Sequence, residues 1–153
     1  MKQVDVLIII GSKSDDEYAR AAIELLDEFG ISYELEVASA HRNPDKVKEL
    51  VSGARDGGVK VIIAMAGLAA HLPGVVASHT TLPVVGVPLP ASTLGGLDSL
   101  LSISQMPAGV PVATMSLGKA GAKNAAIFSL ELLAMSDKKY LEKLKDYRNN
   151  LAQ

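Results

Sequence analysis

Five short apolar, β-branched runs punctuate the chain: VDVLIII (4–10), SYELEVA (32–38), KVIIAMA (60–66), PVVGV (83–87) and VPVATM (110–115). Continuous apolar runs, rather than strict alternation, mark strands covered on both faces and predict a parallel sheet. Longer stretches with helical patterning lie between them, at 15–30, 43–58, 68–79 and 92–104. In the first, Ala19, Ala22, Ile23 and Leu26 share one side and Gly30 is the stop signal. The second opens on Asn43-Pro44, a capping residue followed by proline at the first helical position.

Strands alternating with helices imply right-handed crossovers and a doubly wound α/β domain. The predicted architecture is flavodoxin-like: a three-layer sandwich around a five-stranded parallel sheet ordered 2-1-3-4-5, with a C-terminal helical extension. Residues 1–136 are expected to form the flavodoxin-like domain and 137–153 a final helix, one domain overall. Stretch 120–135 is apolar nearly all round, and 137–153 carries Tyr140, Leu144, Tyr147 and Leu151 as a stripe on a charged helix. A chain of 153 residues has difficulty covering so much apolar helix alone, so the last helix is expected to pack in a homo-oligomer.

Composition narrows the classes. Hydrophobic residues make up 48% but aromatic ones only 4%, with no Trp, so Ala, Val, Ile and Leu must build the core. A net charge of -2 argues against a nucleic-acid partner. The absence of cysteine removes disulfides, thiolate nucleophiles and cysteine metal sites together. VDVLIII is too short to cross a bilayer, and no leader pattern precedes it, so the expected setting is cytoplasmic, without membrane contact.

Ligands of doubly wound sheets bind beyond the carboxyl ends of the strands. The predicted strand-end loops are GSKSD (11–15), SAHRNP (39–44), AGLAAHLPG (66–74), PLPASTLGG (88–96) and SLGKAGAKN (116–124). GSKSD combines a turn glycine, the hydroxyls of Ser12 and Ser14, and Asp15 at a helix start, where backbone N–H groups favour phosphate. Asp15 has a second reading as a plain helix cap. The loop matches neither GxxxxGK[ST] nor GxGxxG, which argues against an ordinary nucleoside triphosphate or dinucleotide. A flavin site lacks its flanking aromatics in these loops, and a receiver domain lacks the carboxylate ending strand three. His71 and His79 are eight apart with no carboxylate between them, so no metal site is expected. A serine triad lacks its GxSxG elbow.

Histidine acid–base chemistry on a small phosphorylated molecule remains. His41 and His71 are the candidate catalytic residues, since imidazole gives and takes protons near neutrality. Arg42, beside His41, suits an anionic substrate group. Gly67 and Ala70 let a ligand approach the backbone of their loop. His79, ahead of TTLP, reads as structural or surface.

Taken in order, GSKSD, SAHR-P, AGLAAHLPG, LDSLLSISQMPAGVPVAT (97–114) and GKAGAKNAA (118–126) resemble the N5-carboxyaminoimidazole ribonucleotide mutase family, the catalytic subunits of phosphoribosylaminoimidazole carboxylase. The resemblance spans nearly the whole chain. It implies a cofactor-free rearrangement in purine biosynthesis, moving a carboxylate from the exocyclic nitrogen of a phosphoribosyl aminoimidazole to ring carbon C4, by homo-octamers. It implies His41 as general acid and base, and Ser12, Asp15 and Arg42 as substrate-binding residues. Ser14 adds to phosphate binding, and Ser39, Ala70, His71 and Leu72 fall in the family's active-site loops. Two residues depart from the family pattern: Leu68 stands for a glycine and Pro90 for a glutamine. Leu68 either narrows the carboxylate pocket or packs outward. Two other readings stay open: a sister enzyme that carboxylates with free CO2, and a nucleotide-binding module without catalysis.

Overall fold

The computed structural model describes residues 3–152. Five parallel strands, β1 (Val6–Ile10), β2 (Tyr33–Val37), β3 (Val61–Gly67), β4 (Val84–Leu89) and β5 (Ala113–Thr114), form one sheet in the order β2-β1-β3-β4-β5. That is the order predicted from the sequence. A 3-10 turn (Lys13–Asp15) leads into α1 (Asp16–Phe29), and α2 (Pro44–Ser52), α3 (Leu72–Ser78), α4 (Leu97–Ser104), α5 (Gly118–Ala134) and α6 (Lys138–Leu151) follow.

The unbroken apolar strands are explained by two cores, one on each face. Ile8 and Ile10 of β1, with Ile63 and Met65 of β3, point to the side of α1 and α5 and meet Ala22, Leu26, Ala125 and Leu130. Their neighbours Leu7, Ile9, Ile62 and Ala64 point the other way, to Val47 and Val51 of α2, Val76 of α3 and Ile103 of α4. Period-two side chains therefore feed both cores from one strand. At Gly86 of β4 an added Cβ would sit 2.5 Å from Ile103 and 2.8 Å from Val112, so only glycine admits α4 and the β5 edge so close.

The edges differ from expectation. β2 is only partly covered, and its Glu34 and Glu36 sit on an edge strand. The run 110–115 pairs over just Ala113–Thr114, since Pro111 cannot donate to a ladder. Stretch 43–58 is helical only to Ser52, and 92–104 only from Leu97, after Gly95 and Gly96 at positive φ. The stretch 68–79 becomes helical only at Leu72, because Leu68 adopts φ 57°, outside the right-handed region.

α5 lies against the sheet and α1 on one side and α6 on another, which accounts for its broad apolar surface. The stripe on α6 is largely used within the chain. Tyr140 is buried and its Oη donates to Asp5 Oδ2 at 2.9 Å, Leu144 packs on the same core, and Tyr147 meets Phe29 edge-on at 5.3 Å. Leu151 alone of the four stays exposed. Among the described residues, no helix is long and apolar enough to cross a membrane.

Candidate active site

β1 lies between β2 and β3, and their register places Ile10 beside both Val37 and Met65. The loops that leave these three strands therefore emerge side by side. α1 departs to one face of the sheet and α3 to the other, so a crevice opens between them at the reversal of strand order.

Each loop is held by its own hydrogen bonds. Ser12 caps the 3-10 turn, its Oγ accepting from Ser14 N at 3.4 Å and from Ser14 Oγ at 3.0 Å. Asp15 is 8% exposed and makes no side-chain cap bond to α1, so its reading as a helix cap is set aside. Ser14 Oγ lies 3.3 Å from Asp15 Oδ1. Burial pushes the Asp15 carboxyl above its usual value, against the opposing pull of the Ser14 hydroxyl, the Ser12 backbone and the Arg42 charge.

In the second loop, Ser39 organises the turn. Its carbonyl accepts from Asn43 N at 2.9 Å and its hydroxyl from Arg42 N at 3.3 Å, while Asn43 Oδ1 caps α2 by accepting from Lys46 N. Arg42 reaches across and donates from Nη2 to the Gly11 carbonyl at 3.0 Å, tying loop two to loop one. One guanidinium edge is thus used, and the other N–H groups stay available to an anion.

The third loop turns tightly. An added Cβ at Gly67 would lie 2.6 Å from Ala91 Cβ, which pins this loop against the one after β4. Leu68 then takes φ 57°, the only positive φ at a non-glycine among the described residues. A left-handed leucine costs on the order of 1 kcal/mol. His71 N donates to Ala69 O at 2.8 Å, and the ring is delivered to His41: His41 Nε2 and His71 Nδ1 are 2.9 Å apart, with the rings nearly perpendicular at 82°. Only one of those two nitrogens carries a hydrogen while the contact holds, so each ring constrains the other's tautomer.

All ten residues singled out from the sequence, from Ser12 through Leu72, line one cleft of about 540 Å³. Leu68 lines it too, and is 57% exposed at the rim. Ala91 was missed, because an alanine in a polar loop carries no chemical signal; its place beside Gly67 comes from packing alone. The loop 116–124 does not reach the cleft lining. Pro90 is also outside it and packs against Gly96 and Gly118. His79 caps the far end of α3 and is exposed, near Arg55 and Asp56 in a separate surface depression. Among the described residues, no group of three or more His, Cys, Asp or Glu is placed to hold a metal ion.

The cleft therefore joins an arginine, three serine hydroxyls and a buried carboxylate to a pair of touching imidazoles, backed by small apolar residues. Chemically, that set of groups suits an anionic, hydroxyl-bearing molecule and proton transfer by imidazole. The AIR carboxylase family model matches residues 5–153. The N5-carboxyaminoimidazole ribonucleotide mutase of Saccharolobus solfataricus is 53% identical over 146 residues, 95% of this chain and 91% of that protein. The mutase of Bacillus subtilis is 53% identical over 95% of this chain and 90% of its own. The crystal structure of Treponema denticola PurE superposes with a TM-score of 0.87 at 28% identity, over 97% of this chain and 91% of that one. The chain belongs to the AIR carboxylase family.

Proposed function

We propose that the protein is an N5-carboxyaminoimidazole ribonucleotide mutase, an isomerase of purine biosynthesis that moves CO2 from the exocyclic nitrogen to ring C4. The observation that carries the reading is the meeting of His41, His71, Arg42, Asp15 and Ser12 in one cleft of a chain about half identical to enzymes of that name.

Arg42 and the hydroxyls of Ser12 and Ser14, at the amino end of α1, hold the phosphate. Asp15, left without a cap bond, accepts from the ribose hydroxyls. His41 donates a proton to the carbamate nitrogen as the N–C bond breaks and CO2 leaves. The electron-rich C4 attacks the CO2, and His41 then removes the C4 proton, so one group serves both steps and ends as it began. His71 orients His41 through the 2.9 Å contact and selects its tautomer. Ala66, Gly67 and Ala70 supply a small apolar wall that limits competition from water. The rearrangement is redox-neutral, and every proton lent returns. Proximity supplies much of the rate, because the released CO2 is already beside its acceptor.

The working form is a cytoplasmic homo-octamer. Leu94, Leu97, Leu101 and Met135 are exposed and offer apolar surface for that assembly, which light scattering measures. The deciding assay supplies N5-carboxyaminoimidazole ribonucleotide without ATP and follows 4-carboxy product. The expected result is rapid conversion. Product formed only from the decarboxylated ribonucleotide plus bicarbonate would instead make the protein a direct carboxylase.

A further inference from the structure

His41 and His71 reach the cleft from loops that are held in different ways. Ala70 and Leu72, on either side of His71, are buried in the core that α2, α3 and α4 cover. The loop of His41 has little of that support. His41 through Asp45 are all exposed, and of residues 38–43 only Ala38 is buried. This loop also leaves β2, the edge strand of the sheet. Packing is too sparse to fix its exposed stretch, so hydrogen bonds must.

Lys46, in the first turn of α2, closes the loop from both ends. Its backbone N–H donates to Asn43 Oδ1 at 3.1 Å, where the loop enters the helix. Its ammonium donates to the Val37 carbonyl at 2.9 Å, where the loop leaves the strand. Glu36 Oε2 lies 3.0 Å from the same nitrogen and steadies it. Both members of that ion pair are partly exposed, so the pair contributes little to overall stability. The bond to the carbonyl is charge-assisted and joins the two ends of a loop that packing leaves loose.

We infer that Lys46 is a positioning residue, which holds the loop bearing His41 and Arg42 in its substrate-ready form. The inference rests on the mutase reading. Without the ammonium, the loop leaves that form for part of the time, and apparent affinity falls in proportion to the competent fraction. Binding of the substrate phosphate to Arg42 draws the loop back, so the bound enzyme turns over normally. Lys46 therefore acts on KM and hardly on kcat. A lysine that served only the stability of the fold would change neither.

The test measures steady-state kinetics of the full-length protein on N5-carboxyaminoimidazole ribonucleotide, with a thermal melt of each variant. Lys46→Met keeps a long side chain but loses the ammonium, and Lys46→Arg returns a cation that can span the same two oxygens. Lys60→Met is the control, because Lys60 pairs with Asp5 Oδ1 at 2.8 Å at the opposite end of the sheet. Lys46→Met is expected to raise KM about 5- to 10-fold with kcat within about twofold, and arginine to recover most of that loss. Lys46→Gln, which stays polar, is expected to match methionine and stands in if that variant does not fold. Lys60→Met is expected to melt lower and keep its KM. An unchanged KM in the uncharged Lys46 variants, with normal turnover by the unaltered protein, would overturn the role of Lys46 and leave the mutase reading intact. So would no recovery by arginine, or an equal rise of KM in Lys60→Met, which would trace the effect to stability. Absence of any 4-carboxy product from the unaltered protein would overturn both.

Discussion

Two carboxylates flank β1, Asp5 just before it and Asp15 in the loop beyond, and the chain treats them in opposite ways. Asp5 is saturated. Its oxygens take Lys60 Nζ at 2.8 Å, Ser32 Oγ at 2.8 Å and Tyr140 Oη at 2.9 Å. Burial works against its charge, but those bonds and the Lys60 charge hold the carboxyl below its usual value. Asp15 is more deeply buried, yet among the described residues its only hydrogen-bonded side chain is Ser14, and burial leaves its carboxyl above its usual value. A carboxylate that serves the fold is satisfied by the fold. Asp15, proposed to bind substrate, is kept short of partners, and on that proposal its desolvation is a penalty the substrate relieves.

The comparison is broken most severely at the site end. His41→Asn is expected to cut turnover about 10³-fold, the scale of lost general acid–base catalysis, while leaving the melting temperature within experimental error. Steady-state kinetics and a thermal melt check both halves, and substantial residual turnover would remove His41 from the mechanism. His71→Asn, which places an amide oxygen close to where Nδ1 stood, is expected to keep more activity than His71→Gln. A preference for glutamine would mean that the 2.9 Å contact does not matter to the reaction.

Asp15→Asn sharpens the contrast. It is expected to lower kcat/KM about 10- to 100-fold through lost hydrogen bonds to substrate. The folded protein should be no less stable, since a penalised buried charge has gone. Asp5→Asn should do the reverse, losing about 2 kcal/mol of stability in urea titrations with little change in kcat/KM.

The pH dependence follows with opposite signs. The folded pKa of Asp5 is below its unfolded value, so its support is present above the usual carboxylate range and lost as pH falls through the lowered one. Asp15 is raised, so its penalty applies at neutral pH and lifts as acid protonates it. The stability gap between the unaltered protein and Asp5→Asn should therefore close below about pH 4. At the alkaline end, Tyr140 is raised to about 12 by burial and by its bond to Asp5. Tyr140→Phe should cost the least, about 1 kcal/mol, a gap present below the ordinary phenol pKa and lost towards pH 12.

Much of this was legible beforehand, for identifiable reasons. Continuous apolar runs betrayed doubly covered strands because alternate side chains feed two cores. Asn43-Pro44 located the start of α2 because a cap and an N1 proline act within a single turn. The burial of α6 was read less well: an amphipathic stripe says that something covers it, and here that is largely Phe29, Asp5 and the core beside α5.

The sequence by itself determined the strands, their order of appearance and the residue types at their carboxyl ends, since all of these follow from local periodicity and capping. What only the tertiary structure decided is which loops meet. His41 and His71 are 30 residues apart and touch because β1 separates β2 from β3 in parallel register. The depth of Asp15, the place of Ala91 and the left-handed turn at Leu68 likewise depend on neighbours distant along the chain. Proximity of that kind is a property of the sheet, and no local pattern encodes it.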